Sequence, residues 1–363
     1  MEKIRVLIVD DSAFMRKVID DILSADPGIE VIDRAKNGLE CIKKVKELKP
    51  DVVTLDIEMP IMDGLEALEQ LMKNHPLPVV MLSSLTQEGA DATIRALELG
   101  AFDFVAKPSG PISLDIHKVA DKILERVKAA ATASGRIRRF RPTLTPVQPL
   151  PKKEPLVESK LPMKSSAPKP SSANKLVVIG TSTGGPKALQ TLLTSLPANF
   201  AAPITIVQHM PPGFTKSLAQ RLDTLCAIRV VEAEDGQQLE NGTAYIAPGG
   251  FHMEITQQAG GRLLIRLNKD EPRGGHRPSV DTMFDSVCEI TNVNKWAVIM
   301  TGMGSDGTKG LKLMKEKGQV VSVIEDESSC VVFGMPRAAI QAGLADHVVP
   351  LERIAETLIR LVN

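Results

Sequence analysis

Residues 176–196 limit the possible folds more than any other stretch. Leu176-Val-Val-Ile179 is an apolar run of strand length. Pro186 suits the first position of a helix, and Leu189, Leu192, Leu193 and Leu196 then recur on one helical face. Only a glycine-rich turn, Gly180-Thr-Ser182-Thr-Gly184-Gly-Pro186, separates strand from helix. A strand passing so abruptly into a helix belongs to a βα unit of an α/β sheet. Gly180-x-Ser182-x-Gly184 also fits the nucleophile-elbow spacing, in which a sharp turn lifts a serine hydroxyl out of the sheet. Amides at the helix start would face negative charge forming beside it. A phosphate cradle of the dinucleotide type competes with this reading, but its G-x-G-x-x-G spacing is absent. A plain tight turn is the third possibility.

The first half repeats the alternation. Strand-like runs at 4–9, 29–33, 51–55, 78–82 and 102–106 are separated by helical segments such as Leu39–Leu48 and Gly64–Asn74. That pattern predicts a parallel sheet covered on both faces. Ser12 is placed to cap the first helix, whose inner face is expected to carry Phe14, Val18 and Ile22. Polar residues stand where the strands end: Asp10 and Asp11, Asp56, Ser83, and Lys107. In an open α/β sheet the carboxyl ends of the strands form the ligand crevice. Three carboxylates there repel one another, and a hard cation such as Mg²⁺ relieves the repulsion. One carboxylate can then attack phosphorus while Lys107 and Ser83 meet the phosphoryl oxygens.

Val9-Asp10-Asp11-Ser12, Leu55-Asp56-Ile-Glu58-Met-Pro60-x-Met-Asp63-Gly64 and Phe104-Val-Ala-Lys107-Pro108 resemble a two-component response-regulator receiver domain over about residues 1–125. The resemblance implies a flavodoxin-like (βα)5 fold of strand order 2-1-3-4-5. It implies Asp56 as phosphoacceptor, Mg²⁺ held by Asp10, Asp11, Asp56 and the Glu58 backbone carbonyl, and a switch through Ser83, Phe104 and Lys107. It also suggests a cis Lys107–Pro108 bond.

Charge is unevenly distributed. Residues 1–128 hold 17 basic and 23 acidic side chains, residues 129–174 hold 9 and 2, and residues 175–363 hold 18 and 19. The middle stretch has 8 of the 25 prolines and no periodicity, the composition of a linker. The expected division is therefore 1–128, a linker at 129–174, and 175–363. Arg136, Arg138, Arg139 and Arg141 in the linker could dock on an acidic surface or simply keep it solvated. The helix before the linker is expected near Ile116 to Val127. A net charge of zero and 3% aromatic residues argue against a nucleic-acid binder. Cys41, Cys226, Cys288 and Cys330 form no C-x-x-C pair and read as free thiols. With neither signal peptide nor membrane-length apolar run, a cytoplasmic protein without membrane insertion is expected.

The second half again alternates strands and helices, and a doubly wound, mostly parallel sheet with an antiparallel excursion is expected. Residues 228–270 read as extended hairpins with an Asn241-Gly242 turn signal. A serine nucleophile needs a base within hydrogen-bond reach. His209 follows the apolar run Ile204–Gln208, at a strand's carboxyl end. His252, starting a strand, could face solvent, and His276, in Arg273-Gly-Gly-His276-Arg-Pro278, could cover a substrate. Asp306, in the glycine-rich loop Thr301–Thr308 after the strand Trp296–Met300, is the candidate orienting acid; a helix N-cap fits it equally. The order Ser182, His209, Asp306 matches none of the three familiar hydrolase orders, which does not exclude a triad defined by geometry.

Ile179-Gly-Thr-Ser-Thr-Gly-Gly-Pro186, Val207-Gln-His-Met-Pro-Pro212, Tyr245-Ile-Ala-Pro-Gly-Gly250, His276-Arg-Pro-Ser-Val-Asp281 and Met300-Thr-Gly-Met-Gly-Ser-Asp-Gly307 together resemble the catalytic domain of the chemotaxis methylesterase family, CheB, over about 175–360. The resemblance implies a catalytic triad of Ser182, His209 and Asp306, with the Met303 backbone amide in the oxyanion hole. It implies hydrolysis of glutamate methyl esters on chemoreceptors, deamidation of receptor glutamines, a chemotaxis histidine kinase as phosphodonor, a monomer, and no cofactor for the ester reaction. A phosphorylation-switched binding protein and a transcriptional regulator are the rival readings. The second half lacks a helix-turn-helix pattern and a basic stripe.

Overall fold

The computed structural model of the chain describes residues 3–107, 115–137, 174–318 and 320–363. The first half contains β1 (Ile4–Val9), α1 (Ala13–Ser24), β2 (Ile29–Ala35), α2 (Gly38–Leu48), β3 (Val52–Asp56), α3 (Gly64–Asn74), β4 (Val79–Ser83), α4 (Gln87–Leu99), β5 (Asp103–Ala106) and α5 (Asp115–Ile137). Its five strands pair in parallel in the order β2-β1-β3-β4-β5. Val6, Leu7, Ile8 and Val9 are all fully buried, because helices cover both faces of the sheet.

Two expectations for this half need correction. Ser12 does cap α1, accepting from the Met15 amide. The helix, however, turns Ile19 and Leu23 inward and leaves Phe14 51% exposed. Phe14 and Met15 both begin apolar rows at helical spacing, so periodicity alone left the rotation of α1 open. Helix α5 also runs on to Ile137, into the stretch read as linker. Its added turns include Ala129-Ala-Ala-Thr-Ala133, good helix-forming sequence, and Ala130 and Ala133 are buried. Pro108, Arg138, Arg139 and Arg141 lie outside the described residues, and with them the expected cis bond and most of the basic cluster.

The second half contains β6 (Lys175–Thr181), α6 (Gly185–Thr194), β7 (Ile204–Gln208), α7 (Phe214–Leu225), β8 (Arg229–Glu232), β9 (Thr243–Ile246), β10 (His252–Gln257), β11 (Leu263–Asn268), α8 (Val280–Cys288), β12 (Asn294–Ile299), α9 (Thr308–Lys317), β13 (Val320–Glu325), α10 (Met335–Gln341), β14 (His347–Val349) and α11 (Leu351–Val362). Seven strands form one sheet, β14-β13-β12-β6-β7-β9-β8, in which every pairing is parallel. The antiparallel excursion is the separate hairpin β10–β11. The hairpin expected around Asn241-Gly242 does not form. Gly242 turns with φ +71°, but β8 and β9 pair in parallel. A ten-residue connection allows that return, and an Asn-Gly signal specifies the turn rather than what the strand beyond it pairs with. His252 is 1% exposed and contacts the Glu271 carbonyl through Nε2, so it does not face solvent.

From β6 the chain winds first to β7 and returns later to β12 on the other side. The carboxyl ends of β6 and β12 therefore flank a topological switch point, where such sheets open their crevice. The two halves also meet directly. Phe104 of β5 stacks on Phe214 of α7 with ring centroids 4.7 Å apart. Gln87 of α4 donates to Ser217 Oγ, and Arg221 pairs with Glu98. Such an aromatic pair stabilises by about 1 kcal/mol beyond its buried area, more than the half-exposed Arg221 pair. Among the described residues no helix is long and apolar enough to cross a membrane.

Candidate active site

Ser182 follows β6 and is 3% exposed. Its backbone is tied on three sides. The amide donates to the Thr301 carbonyl (3.0 Å), and the carbonyl accepts from the Gly185 amide (2.8 Å) and from Gln208 Nε2 (2.9 Å). Gly185 must lack a side chain, because a Cβ there would stand 1.9 Å from Gln208 Oε1. Gly184 takes φ +79°, which lets the chain swing straight into α6. The elbow is thus cross-braced to its neighbours on both sides of the sheet.

The β6–β7 register brings the next residue in. Thr181 pairs with Gln208, and the His209 amide donates to the Thr181 carbonyl. Ser182 and His209 therefore leave adjacent parallel strands side by side. His209 Nε2 lies 2.8 Å from Asp306 Oδ2. Its other ring nitrogen, Nδ1, is buried without a hydrogen-bond partner. One ring nitrogen thus faces the acid and the other has no partner.

Asp306 comes from the loop after β12, on the other flank of β6. Its Oδ1 accepts from Ser279 Oγ (3.0 Å), the Asp281 amide (2.9 Å) and the Gly307 amide (3.0 Å). Its Oδ2 accepts from the Val280 amide at 2.7 Å as well as facing His209. Asp306 does not cap the helix that follows it, whose N-cap is Gly307; the carboxylate that meets His209 instead accepts amides at the N-terminus of α8. Burial pushes the Asp306 carboxyl up, but the His209 bond and the Asp281 and Val280 amides outweigh it and hold it well below the usual carboxylate range. Asp281 returns the arrangement, accepting from the Gly307 and Gly310 amides at the start of α9. Each helix is capped by the acid that precedes or opens the other. The residue types around Asp281 were visible in the chain; the pairing of α8 with α9 that makes it a partner of Asp306 was not.

His276 lies flat on His209, ring centroids 3.8 Å apart and planes 6° from parallel. Its backbone closes a tight loop with Arg273, whose guanidinium reaches Asp285 on α8. Burial, then the neighbouring His209, pushes His276 down to about 4. A histidine whose folded value is lowered contributes stability that is present above its ordinary 6.5 and is lost as pH falls towards 4. Urea midpoints of the parent and His276→Phe should diverge across that window. The parent should lose about 2 kcal/mol more than the variant, allowing for partial exposure.

Met303, the expected oxyanion contributor, sits two residues beyond Thr301. Its amide donates to no acceptor among the described residues, while those of Thr301 and Gly302 are engaged. Thr301, which sequence reading passed over, is the hub. Its carbonyl takes the Ser182 amide and Thr181 Oγ1, and its hydroxyl donates to the Thr183 carbonyl.

Four of the polar residues at the ends of the first sheet, Asp10, Asp11, Asp56 and Lys107, come together. Ligand atoms of Asp10, Asp11 and Asp56 lie within 4.8 Å of one another. Lys107 Nζ is 2.7 Å from Asp56 and 2.9 Å from Asp10. Burial pushes the Asp56 carboxyl up to about 6, Lys107 opposing and Asp10 and Asp11 reinforcing the rise. Asp10 Oδ2 is buried and accepts no well-formed hydrogen bond despite the nearby ammonium. Crowded, partly unsatisfied carboxylate oxygens suit a hard divalent cation. The Glu58 side chain is engaged by Ser84. Ser83 is turned towards α4, donating to the Gly89 carbonyl and accepting from Thr93. Beside Phe104, Asp103 accepts from Thr183 Oγ1 (2.6 Å) and Arg126 (3.0 Å), and Arg126 also donates to Thr183. The first half thus touches the residue immediately after Ser182.

Both halves of the chain are similar to known proteins. The CheB methylesterase family model matches residues 177–358, and the response regulator receiver domain model matches residues 6–117. A protein-glutamate methylesterase/protein-glutamine glutaminase of Geobacillus kaustophilus is 54% identical over 363 residues, all of both chains. One of the same name from Bacillus subtilis is 49% identical over 360 residues, 99% of each chain. The crystal structure of the Thermotoga maritima CheB methylesterase catalytic domain superposes with a TM-score of 0.51 and 49% identity, covering 52% of this chain and all of that one. The chain belongs to the CheB methylesterase family and carries a response regulator receiver domain ahead of the esterase domain.

Proposed function

We propose that the protein is a phosphorylation-activated serine hydrolase that removes methyl groups from glutamate esters on chemoreceptors and deamidates receptor glutamines, with Ser182, His209 and Asp306 as its triad. The observation that carries the reading is the His209–Asp306 contact at 2.8 Å beside a partnerless Nδ1, one strand from Ser182. Ser182 Oγ attacks the ester carbonyl as His209 Nδ1 takes its proton. The oxyanion is held by the Met303 amide. The tetrahedral intermediate collapses, methanol leaves with the proton from His209, and an acyl-serine remains. Water, deprotonated by the same nitrogen, then frees the glutamate. A glutamine follows the same course with ammonia leaving.

Asp56 is the phosphoacceptor in this reading, taking its phosphoryl group from a chemotaxis histidine kinase. Asp10, Asp11 and Asp56 with the Glu58 carbonyl would hold Mg²⁺, which when bound offsets negative charge around the transferred group. Lys107 holds the Asp56 carboxylate in place, and Ser83 and Phe104 relay the change. The protein works in the cytoplasm as a monomer.

Control follows from the junction. With the receiver docked, Asp103 and Arg126 occupy Thr183, next to the nucleophile, and Phe104 is stacked on α7. A phosphoryl group that turns Ser83 and Phe104 towards Asp56 weakens that docking. A two-state interface biased by about 1–3 kcal/mol changes exposure of the centre roughly 5- to 150-fold. Methanol release from methylated receptor should rise by such a factor when a phosphodonor is added. Removing residues 1–137 should give a similar rise without the donor. A shortened, folded protein no faster than the parent contradicts the covering role, and absence of methanol under any condition contradicts the esterase reading.

A further inference from the structure

We propose that Glu325 is a positioning residue for the hydrolytic centre: through Thr301 it sets the nucleophile turn and the Met303 amide in register with each other. The proposal rests on the reading of Ser182 as nucleophile and goes beyond it.

Strand β13 ends in a glutamate with no exposed surface. A carboxyl group so placed is costly to bury unless its oxygens are satisfied. They are satisfied by two segments. Oε2 accepts the Thr301 amide at 2.7 Å, and Oε1 accepts Ser329 Oγ at 3.0 Å. Ser329 Oγ in turn accepts the Leu351 amide, which opens α11. Glu325 therefore joins the end of β12 to the loop after β13 and to the last helix.

What Thr301 then does is specific to the site. Its carbonyl holds the Ser182 amide at 3.0 Å, and its hydroxyl donates to the Thr183 carbonyl at 2.9 Å while accepting the Val332 amide at 3.0 Å. Gly302 is fastened to the same loop. Its amide donates to the Val332 carbonyl, and its carbonyl accepts the Gly334 and Met335 amides. The next residue is Met303. A shift of the Thr301 backbone thus moves the serine and its oxyanion donor at once. Burial pushes Glu325 up to about 7, which the Thr301 amide, Ser329 and Cys330 oppose, the Thr301 amide most strongly.

The test uses the full chain with a phosphodonor and methylated receptor. Glu325→Ala leaves the Thr301 amide without its acceptor. Its kcat should fall about 30-fold or more with KM within about twofold, because small misplacements of reacting groups cost rate rather than binding. Glu325→Gln, whose amide oxygen can still accept from Thr301 and whose NH₂ can donate to Ser329, should stay within about fivefold of the parent. Glu325→Asp withdraws the carboxylate by one methylene and should fall about tenfold, and it serves where the alanine variant does not fold. All rates are taken per folded molecule, counted by near-ultraviolet circular dichroism. Alanine and aspartate variants with parental kcat, or with a changed KM alone, overturn the proposal. Ser182→Ala run alongside separates the two levels. If it retains parental methanol release, the reading of the centre fails. If it is inactive and the Glu325 variants are unaffected, only the positioning role fails.

Discussion

Ser182→Ala is expected to lower phosphodonor-stimulated methanol release on the order of 10⁴-fold or more without unfolding the protein. The two halves of that statement have separate causes. The hydroxyl is the only atom that can form the acyl bond, so its loss removes the covalent route. What survives is the catalysis that the oxyanion donor and substrate binding supply alone. The fold survives because the turn is held through backbone atoms: the Ser182 amide on Thr301, and its carbonyl on Gly185 and Gln208. Deleting one oxygen disturbs none of these, and the stability change should be within about 0.5 kcal/mol. The check is methanol release set beside a thermal melt. A folded variant that retains more than a few per cent of parental activity would remove the serine from the mechanism.

Asp306→Asn should cost about 10³- to 10⁴-fold in kcat, for a reason that lies in the hydrogen-bond map. Three donors converge on Oδ1, from Ser279, Asp281 and Gly307. Asparagine must put its carbonyl oxygen there, which sends its NH₂ to the Oδ2 position. At that position stand the Val280 amide, itself a donor, and His209 Nε2. The NH₂ donates to His209 Nε2, and the ring proton moves to Nδ1. The nitrogen meant to accept the serine proton is then already protonated. The opposed Val280 amide adds a stability cost of about 1–3 kcal/mol. Asp306→Asn should therefore melt lower than Ser182→Ala while folding to the same structure. Equal activity of Asp306→Asn and the parent would mean that the carboxylate caps α8 and does nothing more.

Much of this was readable in the chain because chemistry and strand ends coincide. Four of the apolar runs of the first half stop at polar residues, and of these Asp10, Asp11, Asp56 and Lys107 meet in one pocket while Ser83 faces α4. Ser182, His209 and Asp306 were likewise found at strand ends, each beside its own glycine- or proline-rich loop. The errors share a cause: local pattern does not carry partnership. Phe14 and Met15 begin equivalent helical rows, and only packing on the sheet chooses between them. Asn241-Gly242 marks a turn but not the parallel pairing of β8 with β9. Alanine-rich sequence after Val127 resembles a linker until Ala130 and Ala133 find a surface to pack on. Thr301, Glu325 and Asp281 were given no role of their own for the same reason. Each looks ordinary alone and matters through residues 20 or more positions away. The contact of Asp103 and Arg126 with Thr183 joins distant parts of the chain and has no local signature at all.

The most direct measurement of the central claim is the rate at which a small fluorophosphonate labels the full-length protein, with the label located by mass spectrometry. One equivalent should attach to Ser182, faster when a phosphodonor is present, and His209→Ala should abolish the reaction. Label on another residue, or labelling of Ser182 that ignores both His209 and the phosphodonor, would contradict a histidine-activated serine governed by the receiver.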